Sequence, residues 1–305
     1  MFGVINIYKP KGITSHDVVG IVRKILGIKQ VGHTGTLDPF AEGVLPICVG
    51  KATRLIEYFD DDKEYLATVK FGAATSTYDI EGEITNTSQK LVTQGEILKE
   101  LDKFKGKIQQ YPPMYSAIKI NGKKLYEYAR KGETVEVEPR EITIYESDLV
   151  SFDYNSQVAV IRIKCSKGTY IRSIANDLGE NLGCFAHLIK LERTLAGKFA
   201  VENSVNLPVE FLTEKSEDKF VKYTIRENAK NILENNIQNP IAGISLPVTD
   251  INEAEYKRII NGNPITKSSD KLKSGDFLIL IYNNCIVAVG QYERNEIKVK
   301  KVFVQ

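Results

Sequence analysis

The 305-residue sequence is short of most of what builds a metal or nucleotide site. It has three histidines and four cysteines, Cys48, Cys165, Cys184 and Cys285, and no two cysteines stand in a C-x-x-C spacing. A structural zinc site is therefore not expected, and the cysteines read as reduced, mostly buried thiols. There is no G-x-x-x-x-G-K-[ST] loop and no G-x-G-x-x-G after a strand, so the chemistry is expected to need no metal, nucleotide or dinucleotide cofactor. No apolar run approaches the roughly 18 residues that span a bilayer. Residues 1–11 lack the long apolar core and small-residue cleavage site of a signal peptide, which makes a cytoplasmic location the expectation. Excess charge is missing too. With 41 basic and 39 acidic residues the net charge is +2, a sum that argues against a polyanionic partner.

What is present changes that picture. Hydrophobic residues make up 42% and charged residues 26%, which excludes wholesale disorder. The length suits one large domain and a small one, expected at residues 1–243 and 244–305. Charge is segregated along the chain: net +3 over residues 1–59, −6 over 60–102, +5 over 103–140, −4 over 141–158 and +4 over 159–200. If the fold gathers the three basic blocks on one face, that face suits a polyanion; otherwise they are a solvated surface of mixed sign.

The pattern predicts an α+β fold with a large mixed, mainly antiparallel sheet flanked by helices. Strands are expected at 4–8, 44–49, 141–152 and 157–165. Tyr65, Ala67, Val69 and Phe71 alternate with mostly polar residues as a half-buried strand does, and a strand at 82–85 is expected to pair with it. Val18, Val19, Val22, Ile25 and Leu26 lie at helical spacing, with Ser15 as the expected N-cap and Gly27 as the stop. Further helices are expected at 52–59, 96–104, 125–131 and 171–182, a hairpin turn at Asn121-Gly122, and a loop over 32–43. Residues 209–243 are polar and Asn-rich, with a helical stretch expected at 220–232. The last 60 or so residues read as a small β-rich unit, with a helix near 253–260 and strands at 277–282, 286–292 and 298–303.

Four segments can carry chemistry. In Gly32-His33-Thr34-Gly35-Thr36-Leu37-Asp38-Pro39, two glycines allow close approach of a ligand, and Pro39 keeps Asp38 out of helical geometry. A partly desolvated Asp38 needs a cationic partner to stay ionised, although an aspartate before proline is equally the ordinary residue of a turn. Cys165–Arg172 joins a strand to a helix start, where amides with Lys167 and Arg172 suit a phosphate or carboxylate, or form an ordinary connection. Tyr65 can stack on a base or simply pack. Lys9 and Lys11 flank a turn and can meet phosphate or water.

GHTGTLDPFAEGVLPICVGKATRL at 32–55 closely resembles the signature block of the TruB family, the tRNA pseudouridine-55 synthases. NIYKPKGITSHDVV (6–19), KEYLATVKFGAATSTYDIEG (63–82), PPMYSAIKINGKKLYEYARKG (112–132) and CSKGTYIRSIANDLGENLGCFAHLIKLERT (165–194) resemble four further blocks in the same order. The resemblance implies a pseudouridine synthase fold, with a C-terminal PUA-like RNA-binding domain to which Gly262, Gly275 and residues 277–282 are weaker matches. It implies an isomerase acting as a monomer on the T-stem-loop of tRNA, without cofactor, metal or membrane. By that resemblance Asp38 is catalytic and Arg172 pairs with it. Tyr65 stacks on the flipped uracil, Tyr170 lies beside the target nucleotide and Leu191 walls the pocket. His33 engages the T-loop, and Lys9 and Pro10 support the aspartate loop. The competing expectations are a non-catalytic RNA-binding or tRNA-folding protein and, more weakly, a carboxylate-based hydrolase of glycosidic bonds.

Overall fold

A computed structural model describes residues 1–116, 118–133, 135–212 and 222–303. Its frame is a ten-stranded sheet. The strands are β1 (Phe2–Lys9), β2 (Val31–His33), β3 (Glu42–Gly50), β4 (Lys63–Phe71), β5 (Gly106–Gln110), β6 (Arg140–Asp153), β7 (Val158–Cys165), β8 (Ala186–Ala196), β9 (Phe199–Ala200) and β10 (Val205–Asn206). The main path runs β10-β1-β3-β8-β4-β7-β6-β5, with β2 on β3 and β9 on β8. Only β1–β10 and β3–β8 pair in parallel, so the sheet is mixed and mainly antiparallel, as the sequence pattern predicts.

Three helices matter for the site: α1 (Ser15–Leu26), α2 (Gln94–Lys103) and α3 (Ile171–Asn181). The α1 stripe Val18, Val19, Val22, Ile25 and Leu26 packs on Ile5, Ile7, Leu45 and Ile47 of the sheet. Beneath α2 and α3 lies the main core, where the alternating Tyr65, Ala67, Val69 and Phe71 meet Ile161, Ile163, Ile174, Leu178 and Leu191. Among the described residues, no helix is long and apolar enough to cross a membrane.

Several expectations are corrected. Thr14, not Ser15, caps α1: its hydroxyl accepts from the Asp17 amide while the Asp17 carboxylate takes the Thr14 N–H, a reciprocal capping box. Residues 51–58 form a 3₁₀ helix rather than an α-helix. The expected loop at 32–43 is shortened at both ends, because β2 pairs antiparallel with β3 and β3 already starts at Glu42. The strand Ile84–Thr87 pairs with Ala73–Thr75 instead of β4, since β7 and β8 occupy both edges of β4. The segment 209–243 is not simply helical. Val209–Phe211 and Tyr223–Ile225 form a hairpin, and the helix runs Ala229–Asn235. Residues 220 and 221 of the expected helix lie outside the described residues.

From Val248 onward the chain builds a five-stranded sheet. Val248–Asp250 runs parallel to Phe277–Tyr282, followed by Cys285–Glu293, Glu296–Val302 and Ile265–Thr266, with a helix at Glu253–Ile259. One apolar cluster joins it to the large sheet, combining Val4, Val44, Leu55, Phe59 and Phe199 with Ile279, Ile286, Val289 and Phe303. At its rim Arg54 donates to the Val302 carbonyl, Lys301 pairs with Glu57, and Asp60 accepts from Ser245.

Candidate active site

The loop between β2 and β3, residues 34–41, buries Leu37, Phe40 and Ala41 and is fixed further through its backbone. Ser15, at the start of α1, both donates to the Leu37 carbonyl (3.0 Å) and accepts from the Leu37 N–H (2.8 Å). Lys9, fully buried at the end of β1, donates its Nζ to the Ala41 carbonyl (2.7 Å), to that of Pro10 (3.0 Å) and more weakly to that of Pro39 (3.4 Å). Burial pulls the Lys9 ammonium down to about 8, against the opposing pull of Asp38. Gly12 N–H reaches the Pro39 carbonyl, and Arg193 of β8 donates to the carbonyls of Gly35, Thr36 and Val44. Carbonyls that would otherwise be orphaned in a buried loop are thereby satisfied.

This bracing presents Asp38 to Arg172, the second residue of α3. The Arg172 Nε lies 2.9 Å from Asp38 Oδ2, and its Nη1 lies 3.5 Å from Asp79 Oδ2. The same guanidinium donates to the carbonyls of Tyr115 (2.9 Å) and Thr77 (3.2 Å). Arg172 and Asp79 are buried, whereas the Asp38 side chain keeps 35% of its surface open. Burial pushes the Asp38 carboxyl above its ordinary value, and the charge of Arg172 beside it pulls it back. Asp79 is aimed by its own turn, accepting from the Thr77 hydroxyl (2.6 Å) and the Glu81 N–H (3.0 Å) around a left-handed Tyr78.

The sheet supplies the floor. Tyr65 of β4 stands opposite Arg193 of β8, and Ala67 stands opposite Leu191. Residues two apart on a strand share a face, so Tyr65, Ala67, Leu191 and Arg193 line one surface, with Leu37, Phe40 and Ala41 of the loop packed into the same core. The Tyr65 phenol is raised by burial and is neutral. Tyr170, just before α3, is fixed by a clamp: the Gln110 side-chain amide accepts from the Tyr170 N–H (2.8 Å) and donates to its carbonyl (3.0 Å).

The sequence candidates do not all converge. Asp38 and Arg172 meet directly, Tyr65 and Leu191 share the floor, and Lys9 reaches the loop, whereas Pro10 only accepts from Lys9. His33 stands on β2, half-buried, with burial and the charge of Arg193 lowering its basicity and its buried Nδ1 unpartnered. Lys167 turns away and pairs with Asp61 at 2.7 Å on the surface. Asp79, Gln110, Ser15 and Arg193 were not singled out as site residues. Asp79 and Arg193 lie inside segments matched at the sequence level, but a charged residue beside a turn or in a strand carries no local sign that it is buried.

The chain matches the model of the TruB family pseudouridylate synthase (N terminal domain) over residues 23–171. It is 40% identical to the tRNA pseudouridine synthase B of Caldanaerobacter subterraneus subsp. tengcongensis, over 99% of each chain. It is also 40% identical to the tRNA pseudouridine synthase B of Clostridium tetani, over the full length of both. Among solved structures, a chain of a Cbf5-Nop10-Gar1 complex superposes with a TM-score of 0.70 at 27% identity, covering 99% of this chain and 85% of that one. A chain of an H/ACA RNP bound to a substrate RNA containing 2′-deoxyuridine gives a TM-score of 0.70 at 25% identity, covering 100% and 86%.

Proposed function

The chain belongs to the TruB family of pseudouridine synthases, and we propose that it isomerises the T-loop uridine of tRNA with Asp38 as its catalytic carboxylate. The observation that carries this reading is the Asp38–Arg172 pair at 2.9 Å on a backbone-braced loop. The reaction breaks N1–C1′ and forms C5–C1′; the C5 hydrogen departs and N1 gains one, so product and substrate are isomers and no redox partner is called for. The reacting bonds are inaccessible in a stacked nucleotide, so the uridine flips out of the loop first. Tyr65 offers the aromatic platform, with Leu191 as the apolar wall and Tyr170 beside the nucleotide. Asp38, kept charged by Arg172, acts at the sugar as nucleophile or base.

In this reading the protein acts as a monomer, and residues 1–243 are the catalytic domain. The PUA-like unit at 244–305, with Lys300 exposed on the strand Glu296–Val302, extends the RNA contact beyond the T-stem-loop. Incubating a T-stem-loop transcript with the protein and scoring pseudouridine by base-specific chemistry tests the proposal. Product is expected from the wild type. Asp38→Asn is expected to lose at least about a thousandfold in single-turnover rate while still binding the transcript. Free uracil would instead mark a glycosidic hydrolase. RNA binding without product from the wild type would leave the non-catalytic alternative.

A further inference from the structure

Arg193 is one of the most deeply buried charged residues in the chain, 1% exposed. Its Nε donates to the Val44 carbonyl (2.7 Å), Nη2 to that of Gly35 (3.0 Å) and Nη1 to that of Thr36 (3.2 Å). Among the described residues it forms no ion pair. A buried cation without a counter-charge is costly, and a core that needed only volume there would be served by an apolar side chain.

The acceptors are not scattered. Gly35 and Thr36 lie where the aspartate loop begins, and Val44 lies just beyond where it re-enters the sheet. At that re-entry Gly43 pairs in parallel with Arg193 itself, at φ +109, and a Cβ on Gly43 would collide with the Arg193 backbone. Across the other edge of β8, Arg193 is in register with Tyr65. One residue therefore grips both ends of the loop bearing Asp38 and neighbours the proposed base platform. Its charge also opposes the effect of burial on the Tyr65 phenol.

From this geometry we infer that Arg193 is a positioning residue of the isomerisation, which fixes the Asp38 loop at a set distance from the Tyr65 strand. The inference rests on the roles given above to Asp38 and Tyr65. A planar guanidinium with several fixed donors can span three carbonyls, whereas a lysine ammonium cannot do so in the same plane. Displacing a reacting group by about 1 Å costs on the order of 100-fold in rate.

The test compares wild type, Arg193→Lys and Arg193→Met on a T-stem-loop transcript. Single-turnover rate and transcript affinity are measured separately, and hydrogen exchange is followed along the chain. Arg193→Met is expected to slow the chemical step about 100-fold while affinity stays within about threefold. Arg193→Lys, which keeps the charge, is expected to recover about tenfold of that loss. Exchange is expected to rise at residues 34–44 in both variants and to stay unchanged in α2 and the C-terminal sheet. A wild-type rate in either folded variant, a loss confined to affinity, or exchange at 34–44 no faster than in wild type overturns the inference. If Arg193→Met does not fold, Arg193→Lys decides by the same three readings. If the wild type itself makes no pseudouridine, the functional reading fails separately, and the exchange at 34–44 still decides whether Arg193 holds the loop.

Discussion

Asp38 and Arg172 set the terms at the scale of the residue. The Asp38 carboxyl is raised in the fold, so the native state holds its proton to higher pH than the unfolded chain does. Its ionisation therefore detracts from stability as pH rises from the ordinary carboxylate value through the raised one, the reverse of a carboxylate whose value is depressed. In the proposed mechanism Asp38 acts in its charged form. The acid limb of the single-turnover rate is thus expected above the ordinary carboxylate range, and Asp38→Asn is expected to melt no lower than wild type at neutral pH; a pH–rate profile and a melting curve check the two. Arg172→Met leaves Asp38 and Asp79 without their shared cation. It is expected to cost about 3–5 kcal/mol of stability and to move the acid limb of any residual activity further up. Asp38, Tyr65, Tyr170, Arg172 and Leu191 were legible because each stands in an ordered motif. Asp79 stands in a matched block as well, but nothing local to it marks its burial or its pairing with Arg172.

At the scale of the element, the end of β5 dictates how α3 starts. Tyr170 lacks a capping side chain of its own, and Gln110 takes both of its backbone groups as a neighbouring strand would. Ser173 adds a bond to the Tyr111 carbonyl. Gln110→Leu strands a donor and an acceptor and is expected to cost about 1–3 kcal/mol, read by thermal melting, with faster exchange at the Tyr170 amide. α1 and α3 were readable from spacing and terminal glycines, whereas the helices expected at 52–59 and 220–232 were not. The cap of α1 was misplaced by one residue because Thr14 and Ser15 both carry hydroxyls, and only the fold shows that Ser15 spends its own on Leu37. The pairing of Ile84–Thr87 was unreadable for a different reason: alternation identifies a strand but not its neighbour, and both edges of β4 are taken by strands from much later in the sequence.

At the scale of the molecule, the C-terminal sheet is not a loosely tethered module. Phe303 is buried against Phe2, with ring centroids 5.8 Å apart, inside a cluster fed by both sheets. Phe303→Ala is expected to cost about 3–5 kcal/mol and to lower the melting temperature of the whole chain in one transition. A separate early transition in calorimetry would contradict the shared core. The nearly neutral net charge conceals basic segments, and binding to a tRNA transcript is expected to weaken at least about tenfold between roughly 50 and 200 mM salt. A flat titration would favour the solvated surface of mixed sign over a basic face.

The position of β8 between β3 and β4 has a consequence for synthesis. β3 ends at Gly50 and β4 at Phe71, yet the strand that joins them runs from Ala186 to Ala196. A growing chain must therefore carry this edge of β4, and the Glu42–Gly43 end of β3 that β2 leaves uncovered, unpaired through more than a hundred further residues before the gap closes. Unpaired edges are where foreign strands add, and distant pairings form slowly. The same late strand delivers Leu191 and Arg193, so the aspartate loop gains its floor in the step that seals the sheet. No nascent fragment ending before residue 186 holds Leu191 or Arg193, and competence to modify RNA arrives together with protection from aggregation.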